Sequence, residues 1–282
     1  MIEVLHPGIQ SSIQDLGRLG HQSLGVPIGG AMDRNAFNLS NRLLNNPSHS
    51  AVIEMGFKGP KLLFHQSTTV ALTGADMGAK LNGQKISNFN PVEIKENDLL
   101  EFGNAHCGKR TYMAVAGGIQ TPEILNSRSQ YKGITSESKL SKTKLIPFNI
   151  VKFDPPKGVR INPRINESKQ MVILAYKGPD FNLLSENAKN KLCQDTFSIS
   201  NKNSRMAYIL EEKLVPRISS IWTSPVLPGT VQCTPNGTLI ILMRDAQTTG
   251  GYPRILQVTD EGLNILAQKS TKECFQFQLS SV

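Results

Sequence analysis

Residues 239–259 read LIILMRDAQTTGGYPRILQVT, and this stretch decides the fold class. Two apolar runs, Leu239–Arg244 and Ile255–Thr259, have the length and the branched side chains of β-strands. The loop between them, Asp245–Pro253, holds no aliphatic side chain larger than alanine. It is longer than the roughly two to five residues of a plain hairpin. Long polar loops on a rigid β scaffold often carry function, although an elaborate structural turn is the alternative.

Short apolar runs of the same kind recur along the chain and alternate with Gly, Pro and Asn. Asn82-Gly83 and Asn236-Gly237 supply the positive φ angles that a tight hairpin needs. Helical patterns are few: the clearest spans 33–46, with Asp33 as its N-cap, and shorter ones span 184–192 and 261–268. This balance predicts a mainly β protein built from barrels or sandwiches. The other strand-like runs are Val70–Thr73, Leu99–Phe102, Thr111–Ala116, Val172–Tyr176 and Phe275–Leu279.

The domain organisation follows from a break in composition between about 136 and 163, which is rich in Lys, Ser and Pro. We therefore predict an N-terminal domain over 1–150 and a C-terminal domain over 151–282. The two halves also resemble each other: VALTGAD (70–76) is similar to ILAYKGPD (173–180). An ancient duplication would explain this similarity, and chance similarity between β-proteins is the alternative.

Composition and charge narrow the function classes. The chain has 282 residues, 39% hydrophobic and 19% charged, which is typical of a globular protein. A net charge of +9 fits a lysine-rich solvated surface better than a nucleic-acid platform, because aromatic residues are not interleaved with the cations. The start lacks a signal-peptide pattern, no run is long enough for a membrane helix, and the four cysteines are scattered. We expect a cytoplasmic protein with no nucleic-acid or membrane partner.

Motifs of common chemistry are absent from the sequence: we find no Walker A loop, no G-x-S-x-G elbow and no histidine spacing for a metal. Glycine-flanked polar residues remain as candidates. Gln14, Asp15 and Arg18 lie between glycines, and Arg18 could bind a carboxylate or phosphate. The alternative is an Arg–Asp pair that staples the loop. Gly29 and Gly30 could expose N–H groups that bind an anion ahead of a helix. The alternative is that Asp33 serves only as the N-cap of that helix.

Two further segments complete the candidate site. Arg128 and Ser129 follow a Gly117-Gly118 turn and could contact an anion. In the loop after Leu239–Arg244, polar and glycine residues could form the rim of a small-molecule site. These are Asp245, Gln247, Thr248, Thr249, Gly250, Gly251 and Tyr252.

These segments resemble the carboxyltransferase subdomain C and D family, also called the allophanate hydrolase subunit 2 family. The family includes the C subunit of 5-oxoprolinase, antagonists of sporulation kinase inhibitors, and part of urea carboxylase. The sequence departs from the family where the usual LGSRST reads LNSRSQ (125–130) and the usual DRMG reads SRMA (204–207). The matching motifs are PGIQSSIQDLGRLG (7–20), GVPIGGAMD (25–33), NRLLNN (41–46), TGA (73–75), AVAGGI (114–119), SRS (127–129), SRMAY (204–208), SPVLPGTVQ (224–232) and DAQTTGGYP (245–253).

The resemblance implies two cyclophilin-like β-barrel domains with a few short helices, and a chain that works with partners resembling the A and B subunits of 5-oxoprolinase. That complex would use ATP with Mg²⁺ to open 5-oxo-L-proline to L-glutamate, with no biotin attached to this chain. Arg18 and Arg128 would then be electrostatic catalysts, and Asp33 and Asp245 general bases or metal–nucleotide contacts. Gln14, Gln232, Gln247 and Thr248 would bind substrate or nucleotide. The alternatives are a carboxyltransferase acting on urea-derived substrates and a non-catalytic regulator of a kinase inhibitor.

Overall fold

A computed structural model describes residues 1–151, 153, 170–215 and 218–280. Within these residues the helices are α1 Arg34–Leu43, α2 Glu186–Gln194 and α3 Asp260–Gln268. The strands are β1 Ile2–His6, β2 Gln10–Gln14, β3 Val52–Gly56, β4 Lys61–Phe64, β5 Thr68–Asp76, β6 Lys80–Leu81, β7 Gln84–Lys85, β8 Pro91–Ile94, β9 Leu99–Glu101, β10 Cys107–Val115, β11 Leu145–Ile146, β12 Val172–Lys177, β13 Phe197–Asn203, β14 Ala207–Lys213, β15 Ser224–Pro225, β16 Thr230–Cys233, β17 Thr238–Leu242, β18 Thr249–Gly250, β19 Arg254–Val258 and β20 Cys274–Leu279.

The chain divides into two compact units. The first consists of Met1–Gly17 and Asp33–Ile165, and the second of Arg18–Met32 and Asn166–Val282. The segment 18–32, which we call the arm, thus belongs with residues that follow it by well over a hundred positions. No local feature of the sequence indicates that the arm belongs to the second unit. The boundary at 150/151 stays a prediction, because most of the second half of the break at 136–163 lies outside the described residues.

The first unit contains two antiparallel sheets. A six-stranded sheet has the order β11-β1-β4-β9-β6-β7, and a five-stranded sheet has the order β2-β3-β10-β5-β8. Apolar side chains such as Ile13, Ile53, Met113 and Leu72 belong to one buried cluster. Helix α1 packs on β5 and β10 of the five-stranded sheet, and the hydroxyl of Thr73 donates to the carbonyl of Ala36 at 2.6 Å.

The second unit is a closed barrel with the order β12-β19-β16-β17-β14-β13-β20. Strands β12 and β20 run parallel, and the other pairs are antiparallel. Its interior is apolar, with Phe197, Phe275 and Phe277 in edge and tilted ring contacts at 5.2–6.5 Å. A separate two-stranded ribbon, β15 with β18, stands outside the barrel order.

The mainly β architecture with a few short helices is confirmed. Asp33 caps α1 by accepting the N–H of Ala36 at 3.0 Å, and Asn82-Gly83 forms the tight turn between β6 and β7 with positive φ at both residues. Asn236-Gly237 lies in the turn between β16 and β17, but only Gly237 has a positive φ there, so the prediction for Asn236 is wrong. No helix of the described part has the length and apolar character to traverse a lipid bilayer.

Candidate functional site

The polar loop after β17 contains a short strand that its sequence does not predict. Thr249 and Gly250 form β18, which pairs with Ser224 and Pro225 of β15. The pairing extends on both sides, because Val226 N–H donates to Thr248 O and Ile221 N–H donates to Gly251 O, each at 3.0 Å. We call these two segments, 221–226 and 248–251, the lip ribbon. The loop between two barrel strands is therefore itself paired with a distant segment.

Asp245 begins this loop and forms an ion pair with Arg205. The Arg205 Nε lies 2.8 Å from Asp245 Oδ2, and Nη2 lies 2.9 Å from Oδ1, so the guanidinium pairs with both carboxylate oxygens. Asp245 N–H also donates to Arg205 O at 3.0 Å. Both side chains are mostly buried. A bidentate pair of this kind fixes the orientation of the carboxylate as well as its position.

The same arginine holds the glycine turn of the arm. Arg205 Nη2 donates to Gly30 O at 2.6 Å, while Gly29 N–H donates to Arg244 O at 3.0 Å. Gly29 and Gly30 have φ of +67° and +89°, a conformation that side chains other than glycine rarely adopt. The N–H of Gly29, one of the predicted anion donors, is thus already bonded within the chain. The arm and the loop that begins at Asp245 therefore meet at Arg205, which lies between β13 and β14.

Arg205 was not among the residues selected from the sequence. The available signals were the SRMAY motif (204–208) and the similarity between the two halves. Neither shows what the arginine contacts, because Gly30 and Asp245 lie 175 and 40 positions away in the sequence.

Two arginines of the second unit are fully buried, Arg18 and Arg244. Arg18 N–H donates to Ile28 O at 2.7 Å within the arm. The Arg244 guanidinium donates to Asp260 Oδ1 at 2.8 Å and to Asn264 Oδ1 at 3.3 Å. Its Nε has no acceptor among the described residues. Burial of a guanidinium is favourable only where acceptors satisfy it, so the contacts with Asp260 and Asn264 hold the Arg244 side chain in place.

Gln232 and the remaining residues of the loop 245–253 are held by backbone contacts and close packing. The side chain of Gln232 is buried and donates to Tyr252 O at 3.3 Å. A Cβ on Gly250 would lie 2.4 Å from Gln232 Nε2, so this position requires glycine unless the glutamine moves. Gln247 Oε1 is buried and accepts no hydrogen bond from the described residues. Gln247 is thus a candidate to receive a donor from a ligand.

In the first unit, Asp15 ties two distant loops together. Its Oδ1 accepts from Gly17 N–H at 2.8 Å, from the Ser127 hydroxyl at 2.6 Å and from the Ser129 hydroxyl at 2.5 Å. Its Oδ2 accepts from Arg128 N–H at 2.6 Å. Asp15 is buried. Of the two sequence alternatives, ligand binding or a loop staple, this geometry favours the staple for Asp15.

The other candidates of this loop also bond to their own chain. The Arg128 guanidinium donates to Thr121 O, to Gln120 Oε1 at 3.0 Å and to Glu123 Oε1 at 3.1 Å. Gln14 Nε2 donates to Ser12 Oγ at 2.9 Å and to Gln130 O at 3.3 Å. Catalytic or binding roles for Arg128, Gln14 and Ser129 stay predictions, and an anion would have to compete with the carboxylate of Glu123 for Arg128.

A buried polar row crosses the five-stranded sheet on the face opposite its apolar core. Ser12, Glu54, Tyr112 and Thr73 are direct neighbours on β2, β3, β10 and β5, and all four are buried. The Tyr112 hydroxyl accepts the N–H of Asp33 at 2.8 Å. Burial raises the pKa of Tyr112 well above its usual value, and the negative charges of Glu54 and Asp33 raise it further. Tyr112 therefore stays protonated and positions the start of α1.

We expect Tyr112→Phe to lower the free energy of unfolding by about 1–3 kcal/mol, because the buried N–H of Asp33 would lose its acceptor. A raised pKa contributes stability that is complete below the unfolded value of about 10 and is lost as pH rises further. The variant should therefore lose less stability than the wild type above that pH. Urea denaturation across the alkaline range measures both effects, with the exposed Tyr176→Phe as control. An unchanged alkaline slope would contradict the assignment.

The structure thus places the candidates in two groups. The first unit contains Gln14, Asp15, Asp33, Arg128 and Ser129, and the second contains Arg18, Gly29, Gly30, Gln232, Asp245, Gln247 and Thr248–Tyr252. Among the described residues, no three His, Cys, Asp or Glu side chains come together in a way that could hold a metal ion.

Comparison with known proteins identifies the family. The model of the carboxyltransferase domain, subdomain A and B, matches residues 24–279. The chain belongs to this carboxyltransferase family. The family recognised from the motifs is confirmed, although the motifs had suggested subdomains C and D.

Two curated relatives of this carboxyltransferase-family chain match along nearly its full length. The C subunit of 5-oxoprolinase from Escherichia coli (strain K12) is 29% identical over 274 residues, which cover 95% of this chain and 87% of the relative. The C subunit of 5-oxoprolinase from Haemophilus influenzae is 28% identical over 289 residues, which cover 100% of this chain and 92% of the relative. Both are similar to this chain from end to end.

A solved structure extends the comparison to a larger enzyme. The crystal structure of the urea amidolyase of K. lactis superposes with a TM-score of 0.87 and 27% identity over 99% of this chain. The chain corresponds to only 19% of that polypeptide. The same fold thus occurs as one part of a much longer protein.

Proposed function

We propose that this chain is the C subunit of an ATP-dependent 5-oxoprolinase, which cleaves 5-oxo-L-proline to L-glutamate together with partners of the A and B types. The observation that carries the proposal is the similarity to two curated C subunits, which spans almost the whole of this chain and most of each relative. A match of this extent supports a role for the whole chain rather than for one shared domain.

Opening a lactam requires that the amide oxygen be activated and that the developing negative charge be stabilised. In the second unit, Arg205 holds Asp245 through both carboxylate oxygens, and Gln247 Oε1 is a buried acceptor without a donor among the described residues. We assign Asp245 the role of an oriented carboxylate and Arg18 that of a buried positive charge. Gln247 and Thr248 orient the substrate.

ATP with Mg²⁺ belongs to the proposal as the cofactor of the assembled complex, where it supplies the activating phosphoryl group. This chain carries no covalent biotin in the proposed reaction. The substrate is a small anion, which suits the net charge of +9. We place the complex in the cytoplasm.

A second candidate is a carboxyltransferase component that acts on urea-derived substrates. The specific observation in its favour is the superposition on K. lactis urea amidolyase at a TM-score of 0.87 over 99% of this chain. The two candidates differ in their partners, because carboxyl transfer needs a biotin carboxylase and a biotin carrier.

The deciding experiment purifies this chain with its A-type and B-type partner proteins and measures ATP hydrolysis with and without 5-oxoproline. We expect ATP hydrolysis to depend on 5-oxoproline and glutamate to form in step with it. Matched assays contain the two partners alone, or urea in place of 5-oxoproline. A stable complex without 5-oxoproline-dependent turnover would reject the proposal in favour of a regulatory role, and urea-dependent turnover with a biotin carrier would favour the carboxyltransferase.

A further inference from the structure

Trp222 is the only tryptophan of the chain, and its side chain is 95% exposed. It lies in the 221–226 segment of the lip ribbon. A tryptophan typically buries about 150–250 Å² in a folded protein, so this one leaves most of a large apolar surface in water. Leu227 and Tyr252, close to the two ends of the ribbon, are also 55% and 38% exposed.

The surroundings of Trp222 in the sequence are free of charge. Residues 218–243 include no Asp, Glu, Lys or Arg, in a chain of which 19% is charged. The part from 230 onward contains the barrel strands β16 and β17, so the exposed uncharged stretch around Trp222 lies within 218–229. Exposed segments of a monomer normally carry charges for solubility. Depletion of charge together with exposed aromatic residues is the composition of the core of a protein–protein interface.

The lack of charge around Trp222 also indicates which class of partner this surface suits. Nucleic acid and anionic membranes are held by lysine and arginine, and residues 218–229 offer neither. The Arg254 guanidinium beside the ribbon bonds within the chain, to Asp180 Oδ2 at 3.1 Å and to Pro225 O at 3.3 Å. An uncharged surface with an exposed indole fits a folded protein that offers an uncharged, apolar pocket. The curated relatives are described as subunits of an enzyme, which points to another protein of that enzyme rather than to a small ligand.

We propose that Trp222 is the anchor by which this chain docks onto a folded partner protein that presents an uncharged apolar pocket. The inference rests on the proposed function for the existence of that partner. The ribbon joins the anchor to the candidate site, because Ser224 pairs with Gly250, Pro225 with Thr249, and Ile221 N–H bonds to Gly251 O. Docking at Trp222 therefore fixes the backbone of the loop that begins at Asp245.

The test uses the full chain and the purified B-type partner protein of the same organism. Because the chain has a single tryptophan, its fluorescence reports on this position alone once the signal of the same mixture made with Trp222→Phe is subtracted. We expect the emission to move to shorter wavelength as the partner is added, since the indole leaves water. The titration also gives the Kd.

Trp222→Ala should weaken the Kd by at least about 30-fold, as expected for truncation of a central aromatic anchor. The matched control is Leu183→Ala, which removes another apolar side chain that is 56% exposed and should change the Kd less than threefold, within about 0.65 kcal/mol. Calorimetry measures both variants without depending on fluorescence. Circular dichroism confirms that they fold.

The outcomes separate this inference from the proposed function. If Trp222→Ala binds the partner like the wild type, the anchor is wrong, while 5-oxoproline-dependent ATP hydrolysis would leave the proposed function intact. If binding is lost as expected but no such hydrolysis occurs, the docking surface stands and the proposed function fails. If the wild type does not bind the partner, or if Trp222→Ala instead dissociates a dimer of this chain, the assignment of the occupant is overturned.

Discussion

Replacing Asp15 by alanine is expected to lower the free energy of unfolding of the first unit by about 3–5 kcal/mol. The buried carboxylate accepts hydrogen bonds from Gly17 N–H, Arg128 N–H and the hydroxyls of Ser127 and Ser129 at 2.5–2.8 Å. Without it, the two backbone donors lose their acceptor. The loop at 127–129 then keeps the bond from Asp15 N–H to Ser129 Oγ and the bonds between Gln130 and Ile13 of β2. Urea denaturation followed by circular dichroism measures the loss.

Three further variants make the Asp15 test specific. Asp15→Asn should lose less than alanine, because one side-chain oxygen remains. Ser127→Ala should cost about 1–3 kcal/mol, since it removes the hydroxyl that donates to Asp15 and accepts from the buried Ser129 N–H. Glu93→Ala changes an exposed carboxylate of β8 and should stay within about 0.5 kcal/mol of the wild type. If Asp15→Ala keeps wild-type stability while the assembled complex loses activity, Asp15 contacts a ligand and the staple assignment is wrong.

The sequence predicted those elements whose signals are local. The helix α1 has its cap, Asp33, directly before its first residue, and strands such as β5, β10 and β12 each carry an apolar run that is visible within one window. The tight turn between β6 and β7 depends only on Asn82 and Gly83 and their positive φ angles. In each case the residues that decide the structure are next to each other in the chain, so spacing and residue type suffice.

The candidate site depends on contacts between residues that are far apart in the sequence, and local patterns do not reveal these. Arg205 and Gly30 are 175 positions apart, and Asp15 and Ser127 are 112 positions apart. A charged residue in a strand also suggests a solvent-facing position, so the sequence did not indicate that Glu54 and Arg110 are buried. Their side chains form a buried pair, with Arg110 Nε 3.7 Å from Glu54 Oε1. Strands β15 and β18 have two residues each, too few for any periodicity. Their pairing comes from the tertiary structure.

The contacts also change what the selected residues can do. Asp15 was chosen as part of a glycine-flanked polar cluster, and Arg128 as an anion contact between two hydroxyls. In the structure their polar atoms bond to other groups of the same chain. Residue type indicates which interactions a side chain is able to make, and only the fold decides whether a ligand or the protein takes them. In the loop 245–253, Gln247 Oε1 has no donor among the described residues, so it stays a candidate to accept from a ligand.

Asp245→Asn should lower 5-oxoproline-dependent ATP hydrolysis by the assembled complex at least about 100-fold while the chain stays folded. Asparagine has the size of aspartate but lacks the charge and one acceptor oxygen, so the oriented carboxylate is lost without a cavity. Arg205→Lys should reduce kcat by about tenfold, because lysine keeps the positive charge but cannot bind both oxygens of Asp245 and Gly30 O together. Steady-state kinetics separates kcat from KM for each variant.

The matched control for Arg205 is Lys202→Met, which removes an exposed cation three positions away on β13 and should leave kcat unchanged. A double-mutant cycle between Arg205→Met and Asp245→Asn, followed by urea denaturation, should give a coupling free energy of about 1–3 kcal/mol for this mostly buried pair. Turnover within threefold of the wild type for Asp245→Asn would remove Asp245 from the site. If Asp245→Asn unfolds the chain instead, the Arg205–Asp245 pair is a structural turn, and the catalytic carboxylate must be sought elsewhere in the complex.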